Sequence, residues 1–484
     1  MKAHRLILGI ACSGLLSAGF SFAAVEITQE KSGKSLTVEP QSIANGKVKF
    51  SMNGKEFTLP LDQLTQESQE RLMEWKKTST KADLAVPAER LNEVIGQELF
   101  ASDGTALWDE PIASVGKRLK WREESTNEVS SSYRSYPKPD YGFINAHPYC
   151  CTLYGKEEGK VAHFSLVYAN KGDFGSTVGS GEDHFQPQGE LPTANTLNEA
   201  ITRDATAINL ALTELLGEAV EQRYGEKEDR RKVKRWNYGK HAFILSEREG
   251  EYAHLLIVPK ETADNEGKTK FVIDREFRGL LAQNVVQQEN GDIRIKNIPM
   301  VNQGPKGYCA PATFERAMRY MQVPADMYLL ATIATSPGGG TSTRALADEA
   351  KRIIRSKARR IKELELSEDL SIRTVSTYID KGVPILWQMA SLKKYNDIAN
   401  KRTKEREGIE DFDGWATEIA EEAEKVVPSL VPDSNYHICM IVGYNEATNE
   451  LAVSDSWGPR YELRWVHLDI AKAVRTAGGF VVDL

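Results

Sequence analysis

Cysteine is scarce in this chain of 484 residues. There are five, Cys12, Cys150, Cys151, Cys309 and Cys439. They are too few, and their spacing is too unlike that of a stapled small scaffold, to form a disulfide framework. Cys150 and Cys151 are adjacent, which leaves a strained vicinal bridge or two separate fates. His147 precedes them, but zinc sites pair ligands roughly two to four residues apart and need a second pair elsewhere, so buried thiols are expected here and no metal. An excess of basic charge is also missing. Lys and Arg number 62 against 69 Asp and Glu, a formal charge of −7, which weighs against nucleic acid as a partner. No apolar run beyond the first two dozen residues is long enough to span a bilayer. No cofactor motif stands out either. Gly338-Gly339-Gly340-Thr341-Ser342 lacks the lysine of a phosphate loop and reads as a flexible entry with a helix N-cap. The basic run from Lys351 to Lys362 has its Ile residues at helical spacing and its cations elsewhere, the pattern of a solvated helix face rather than an anion-binding one.

With 40% hydrophobic and 27% charged residues, the chain has the composition of a folded protein, and its length predicts about three domains. The one long apolar run is at the start. Lys2, His4 and Arg5 precede an apolar core from Leu6 to Phe22, and small residues around Ala23 and Ala24 suit a cleavage site, so residues 1–24 read as a signal peptide. Gly and Ser residues interrupt that core, which disfavours an anchor helix, and Gly9 stands where a lipobox ending at Cys12 wants Leu. Loss of a leader carrying Lys2 and Arg5 and no acid changes the charge from −7 to −9. An exported protein, periplasmic or secreted, is expected.

Residues 25–78 read as a small β unit followed by a helix. Asn45-Gly46 and Asn53-Gly54 flank the alternating run Val48, Phe50, Met52, and Leu64 to Lys77 is predicted helical with Leu72, Met73 and Trp75 as contacts, ahead of a linker over residues 76–81. The unit resembles the small SH3-like repeats at the front of many exported bacterial proteins. That likeness implies a compact SH3-like β-barrel, either a spacer or a binder of peptide or cell-envelope polymer. Residues 85–285 read as one mixed α/β domain without an assigned chemistry. In it Phe164, Leu166 and Tyr168 alternate like a half-buried strand, Leu197, Ile201, Ile208, Leu212 and Leu215 follow a long helix, and His241–Ser246 with Tyr252–Val258 form a hairpin. His163, His184, His241 and His254 have no partner pattern and are expected to be structural or surface residues.

The chemistry is carried by residues 297–484. Ile298 to Thr313 reads as a short strand, a Gly/Pro loop and then a helix opened by Cys309, with Pro311 in its first turn. Unpaired N–H groups and the macrodipole at that position favour a thiolate, the nucleophilic form. The candidate base is His437, leading the apolar run His437 to Tyr444. The candidate orienter is Asp455, in Ser454-Asp455-Ser456-Trp457-Gly458 at the end of the next strand. A turn at Glu446–Asn449 makes these strands antiparallel neighbours and brings both side chains to one sheet end. Gln303, six residues before Cys309, offers an amide for the oxyanion. Cys439 reads as a buried core thiol.

Gln-Gly, then Cys at a helix start, then His leading a strand, then Asp-Ser-Trp-Gly is similar to the papain-like cysteine peptidases, above all the bacteriocin-processing branch in which Asp completes the triad. The resemblance covers residues 297–484. It implies an α+β fold with a papain-like peptidase domain at the C-terminus, Cys309 as nucleophile, His437 as general base and acid, Asp455 as its orienter, Gln303 as oxyanion donor, Trp457 as a shield over the His–Asp contact, and a protein or peptide substrate. Ala310 departs from the aromatic residue that follows the nucleophile in papain. Roughly forty-five residues separate Met389 from His437, more than a plain loop needs, and helix-like stretches such as Trp415–Val427 suggest a lid or substrate-selecting flap. No ATP-binding motif follows the segment. Two other readings stay open: a non-catalytic peptide or cell-envelope binding protein on this scaffold, and a peptidoglycan amide hydrolase or transamidase. The upstream domains also read as a pro-region that is cut near residues 285–297, where Gln287–Asp292 looks loop-like.

Overall fold

The computed structural model describes residues 25–44, 46–52, 55–82, 86–174, 192–268, 272–304, 306–334 and 341–484. The leader with Cys12, the Asn53-Gly54 turn, His184 and Gly338–Gly340 lie outside the described residues. The chain forms two compact units, Met1–Ala82 and Asp83–Leu484.

In the first unit, strands β1 (Val25–Thr28), β2 (Ser35–Ala44), β3 (Lys47–Met52) and β4 (Lys55–Pro60) form an antiparallel meander in that order, followed by helix α1 (Gln66–Ala82). Val38, Val48, Phe50, Leu64 and Leu72 make its core, with Trp75 packed against it. Met73, expected inside, is 48% exposed, because the face of α1 that carries Leu72 turns it outward. The stretch expected as a linker at 76–81 is helical. Among the described residues no pairing of β1 with β4 closes the sheet, so a barrel rests on the sequence likeness alone.

The second unit holds two eight-stranded sheets, and every described strand pairing is antiparallel. Sheets with helices set apart from them make this an α+β protein. The middle sheet runs β5 (Arg122–Thr126), β6 (Ser131–Ser135), β7 (Cys150–Gly155), β8 (Val161–Asn170), β12 (Tyr252–Pro259), β11 (His241–Arg248), β10 (Arg231–Tyr238), β9 (Val220–Tyr224). Helix α2 (Leu197–Leu216) packs on it, N-capped by Thr196, whose hydroxyl accepts from the Glu199 N–H. Ile201, Ile208 and Leu212 are buried as their spacing predicts. The β11–β12 hairpin runs from His241 opposite Pro259 to Arg248 opposite Tyr252. Strand β8 differs from the half-buried expectation, for Val167 and Ser165 on its other face are buried too. Val167 packs with Val301, Tyr308 and Met327, and Ser165 donates to Asp326 at 2.8 Å. The middle sheet is therefore covered on that side by the C-terminal segment.

The C-terminal sheet runs β13 (Val285–Gln287), β14 (Asp292–Ile295), β17 (Tyr436–Asn445), β16 (Ile385–Ala390), β20 (Arg475–Asp483), β15 (Arg360–Leu364), with β18 (Glu450–Ser454) pairing β17 and β19 (Arg464–His467) pairing β18. Strands β14 and β16 share one side of β17, β14 at residues 443–445 and β16 at 436–441. Gly443 permits this approach, since a Cβ there would lie 2.5 Å from the Ile293 carbonyl oxygen. Helices α3 (Asp274–Gln283), α4 (Cys309–Tyr320), α5 (Met327–Ala334) and α6 (Thr343–Ser356) follow in chain order, and Ser342 caps α6 through the Ala345 N–H as expected. The basic run divides between the end of α6 and β15, with the Arg359 guanidinium over the Phe277 ring.

Two expectations give way here. The proposed cut site at Gln287–Asp292 is the turn of the β13–β14 hairpin, inside the C-terminal sheet, and Asp292 is buried in bonds from Arg406 and Asn445. A cut there would fall in a hairpin whose strand β14 pairs with β17, the strand of His437. The long insertion is α7 (Lys393–Arg406) and α8 (Phe412–Val426). Arg406 donates to Asp292 at 2.8 Å and to Glu450 at 2.9 Å, and Tyr395, Ala399, Trp415 and Ile419 are buried. A flap has few buried contacts. This element is docked as a buttress behind β19.

Candidate active site

Cys309 is the first residue of α4, after Tyr308 at the N-cap. The four N–H groups of a first turn have no intrahelical acceptor, and the macrodipole adds positive potential there. The His437 imidazole and the Ile438 and Ala310 N–H groups lie beside the thiol and favour its anion. His437 enters from the second position of β17, opposite Met389 of β16. Strand β18 pairs beside it with Ser454 opposite Met440, so the chain leaves β18 at the imidazole. Asp455 Oδ1 accepts from His437 Nε2 at 2.7 Å, which leaves Nδ1 for Cys309. Both residues of this pair are buried.

The protonation states follow from these contacts. Burial alone would push the Cys309 thiol up, but the bond and charge of His437, with the Ile438 and Ala310 N–H groups, bring it below the ordinary thiol value. Burial alone would push His437 down, yet the bonds to Asp455 and Cys309 raise it to about 9. Asp455 is held below the usual carboxylate range, because the Arg464 guanidinium and the imidazole outweigh its burial. The lowered thiol and the raised imidazole favour a thiolate–imidazolium pair over a neutral thiol and imidazole. The acid limb of kcat/KM should therefore follow ionisation of Cys309 and the alkaline limb should fall through about pH 9 as His437 loses its proton. In Asp455→Asn the alkaline limb should move to lower pH, since the imidazolium loses its carboxylate. A pH–rate series on both proteins checks this, and an alkaline limb unmoved by the substitution would contradict it.

Trp457 stacks on the imidazole, ring centroids 4.7 Å apart and 28° between planes. Gln303 is tied to the same turn: its N–H donates to the Ser456 carbonyl and its Oε1 accepts the Ser456 hydroxyl, each at 2.8 Å. With Oε1 taken by the Ser456 hydroxyl, Nε2 is left as a donor. Nε2 points to the Lys306 carbonyl at 3.4 Å rather than to Cys309. The structure thus brings Cys309, His437 and Asp455 together and places Gln303 beside them on the Ser456 anchor.

Several residues at the site escaped the sequence reading. Arg464 bonds Asp455 Oδ2, donates to Asn396 at 3.0 Å and lies over the Trp457 ring, 5.4 Å from its centroid. An arginine leading the apolar strand Arg464-Trp465-Val466 signals a cation in need of a partner but does not say that the partner is Asp455. Arg316 on α4, fully buried, donates to the Pro299 carbonyl at 2.9 Å and to the Ser454 hydroxyl at 2.6 Å, fastening the helix of Cys309 to the strand before Asp455. The middle domain contributes as well. Asp173, just past β8, accepts from Lys306 and, at 2.8 Å, from the Tyr308 hydroxyl. Glu124 accepts the Asn302 N–H at 2.8 Å, Ser125 accepts the Met300 N–H at 3.0 Å, and the Tyr136 hydroxyl donates to the Asn302 carbonyl. A bulge between Glu123 and Ser125 in β5 is the device that re-aims the Glu124 side chain. The loop before Cys309 is therefore held by residues of the middle sheet as well as by the C-terminal one.

The other cysteines are unlike Cys309. Cys150, Cys151 and Cys439 are free and buried, and burial pushes all three thiols up, Cys150 to about 12. His241 is structural: its Nε2 accepts the Leu107 N–H at 3.1 Å, and burial lowers it to about 4. His254 is likewise buried, bonded to Ser165 at 2.9 Å.

A cysteine at a helix start against a His–Asp pair led by a buried strand is the arrangement that the resemblance implied. Residues 295–472 match the Peptidase_C39 like family. That stretch is a papain-like cysteine peptidase segment, and it covers well under half of the chain. No curated protein matches the chain in a direct comparison. Cys309, His437 and Asp455 all lie within the matched residues, while Glu124, Ser125, Tyr136 and Asp173, which hold the loop before Cys309, lie outside them. No described helix is long and apolar enough to cross a membrane.

Proposed function

We propose that the chain is an exported cysteine peptidase that hydrolyses peptide bonds through Cys309, His437 and Asp455. The observation that carries this reading is His437 hydrogen-bonded to Asp455 at 2.7 Å, with the Cys309 thiol beside the same imidazole and shifting its pKa. In the proposed reaction the thiolate attacks the amide carbonyl carbon, forming a C–S bond, and the oxyanion takes hydrogen bonds from the Cys309 N–H and from Gln303 once its amide turns from Lys306. Collapse breaks the C–N bond, and the proton on His437 passes to the leaving amine. His437 then takes a proton from water as the water oxygen attacks the thioester. The C–S bond breaks, the acid product leaves, and the thiolate–imidazolium pair is restored. Arg464 acts here as a positioning residue, holding Asp455 charged and aligned.

Export is proposed from the apolar leader, with the periplasm or the exterior as destination. Selective alkylation tests the site. Iodoacetamide at pH 6.5, in substoichiometric amounts, should modify Cys309 ahead of Cys150, Cys151 and Cys439, and peptide hydrolysis should fall in step with that modification. Labelling spread over the four thiols, or full hydrolysis with Cys309 modified, would overturn the reading.

A further inference from the structure

A cleft of about 1100 Å³ opens on the middle domain, larger than the roughly 300–1,000 Å³ of small-molecule pockets. Most of its lining comes from residues 93–97, 119–124 and 134–145. The two exceptions are Asn302, directly before Gln303, and Pro459, two residues after Trp457. The cleft thus runs from the middle domain to the two turns that frame the active site.

Its direction follows from the chemistry. A leaving amine takes its proton from His437, and Trp457 lies against that imidazole. A substrate whose leaving portion continues past the Trp457 turn would enter this cleft, which Pro459 lines. We propose that this cleft binds the portion of a peptide substrate on the carboxyl-terminal side of that bond, which makes the middle domain the recognition module of the peptidase. The inference rests on the peptidase reading above.

Three features of the cleft suit a peptide. Its floor is aromatic, with the buried Trp121 indole N–H donating to the Tyr141 hydroxyl at 3.2 Å, while Lys120, Arg122 and Asp140 on its rim are exposed. Strand β5 on its wall is a sheet edge with no strand on its outer side among the described residues, and an extended chain can complete such an edge. The third feature is backbone strain. Lys120 and Asn145 line the cleft with φ of 58° and 55°, and Ile144 beside them has φ of 52°. Left-handed backbone at a β-branched residue is costly and persists where the surroundings enforce it, most often at binding sites. Here the Ile144 N–H is held by the Ile95 carbonyl at 3.0 Å and the Phe143 carbonyl by the Tyr168 hydroxyl at 2.9 Å.

The test uses the full-length protein and a mixed-sequence decapeptide library, with cleaved bonds identified by mass spectrometry. A cleaved sequence is then made with one and with five residues after the scissile bond. In the wild type the longer peptide should have at least tenfold higher kcat/KM. In Arg122→Glu and in Tyr141→Ala, that length advantage should shrink below threefold. Because the readout is a ratio within each protein, partial loss of folded enzyme does not imitate the result. No length advantage in the wild type, or a full one in both variants, overturns the proposal. Anisotropy with Cys309→Ala separates it from the catalytic reading. If the wild type cleaves nothing while labelled library decapeptides still bind Cys309→Ala, and fail to bind when Arg122→Glu is added, the peptidase reading falls and the cleft stands as a peptide site. If cleavage occurs and binding ignores Arg122→Glu, the cleft proposal alone falls.

Discussion

Cys309→Ala is expected to abolish peptide hydrolysis, with kcat reduced roughly 10⁴-fold or more, as when other triad enzymes lose their nucleophile. Removal of the sulfur leaves no group at the start of α4 that can form an acyl intermediate, and His437 and Asp455 cannot substitute for it, because they activate a nucleophile and are none themselves. The thiol is partly exposed, so its loss opens no large cavity and the melting temperature should change little. Cys439→Ala provides the contrast. That thiol is buried in the core on β17, and its removal should lower stability while leaving the pH profile in place. Hydrolysis of a cleaved library peptide, measured with circular dichroism melts of the three proteins, checks both halves. Residual activity of Cys309→Ala within tenfold of the wild type would exclude Cys309 as the nucleophile.

The site was legible where its parts are local. Cys309 announces itself by a helix start, and the β17–β18 hairpin, readable from its Glu446–Asn449 turn, brings His437 to Asp455. Arg464 was not legible, since it reaches Asp455 across the turn that follows β18 and nothing in Arg464-Trp465-Val466 marks that direction. The middle domain's part was hidden for a different reason. Asp173 meets Tyr308 across 135 residues, and Glu124 meets Asn302 across 178. Such contacts depend on how two sheets stack, and periodicity in one strand does not encode that. The same stacking made β8 read as half-buried, because its alternation reports only the face that packs on α2. The hairpin at Gln287–Asp292 looked like a loop because its strands are short, and only the pairing of β14 with β17 shows it to be part of the sheet.

Arg134→Met tests how firmly the two domains are joined, and it should cost about 3–5 kcal/mol of stability, the range for removing one partner of a buried ion pair. Arg134 on β6 donates to Glu124 at 2.7 Å and to Glu315 of α4 at 2.8 Å, and the three side chains are 2%, 3% and 0% exposed. Methionine fills much of the volume but leaves two carboxylates in the interior with less positive charge beside them. Glu315 keeps the Met327 N–H at 2.7 Å, the Tyr154 hydroxyl at 3.1 Å and Arg319 at 3.3 Å, and Glu124 keeps the Ser132 hydroxyl and the Asn302 N–H at 2.8 Å. Arg319 still pairs Glu315, whereas Glu124 is left with these neutral donors, which do not cancel a full charge as the shared guanidinium does. Urea unfolding of Arg134→Met, of Glu315→Gln and of the double variant forms a cycle in which the double should be more stable than the sum of the singles predicts. Glu124 also sets the loop that carries Gln303, so the fall in kcat of Arg134→Met should exceed its unfolded fraction. If instead stability falls by under 1 kcal/mol and kcat is unchanged, the triad of charges is a bystander, and the grip of the middle sheet on the Cys309 loop would rest on Asp173, Tyr136 and Ser125.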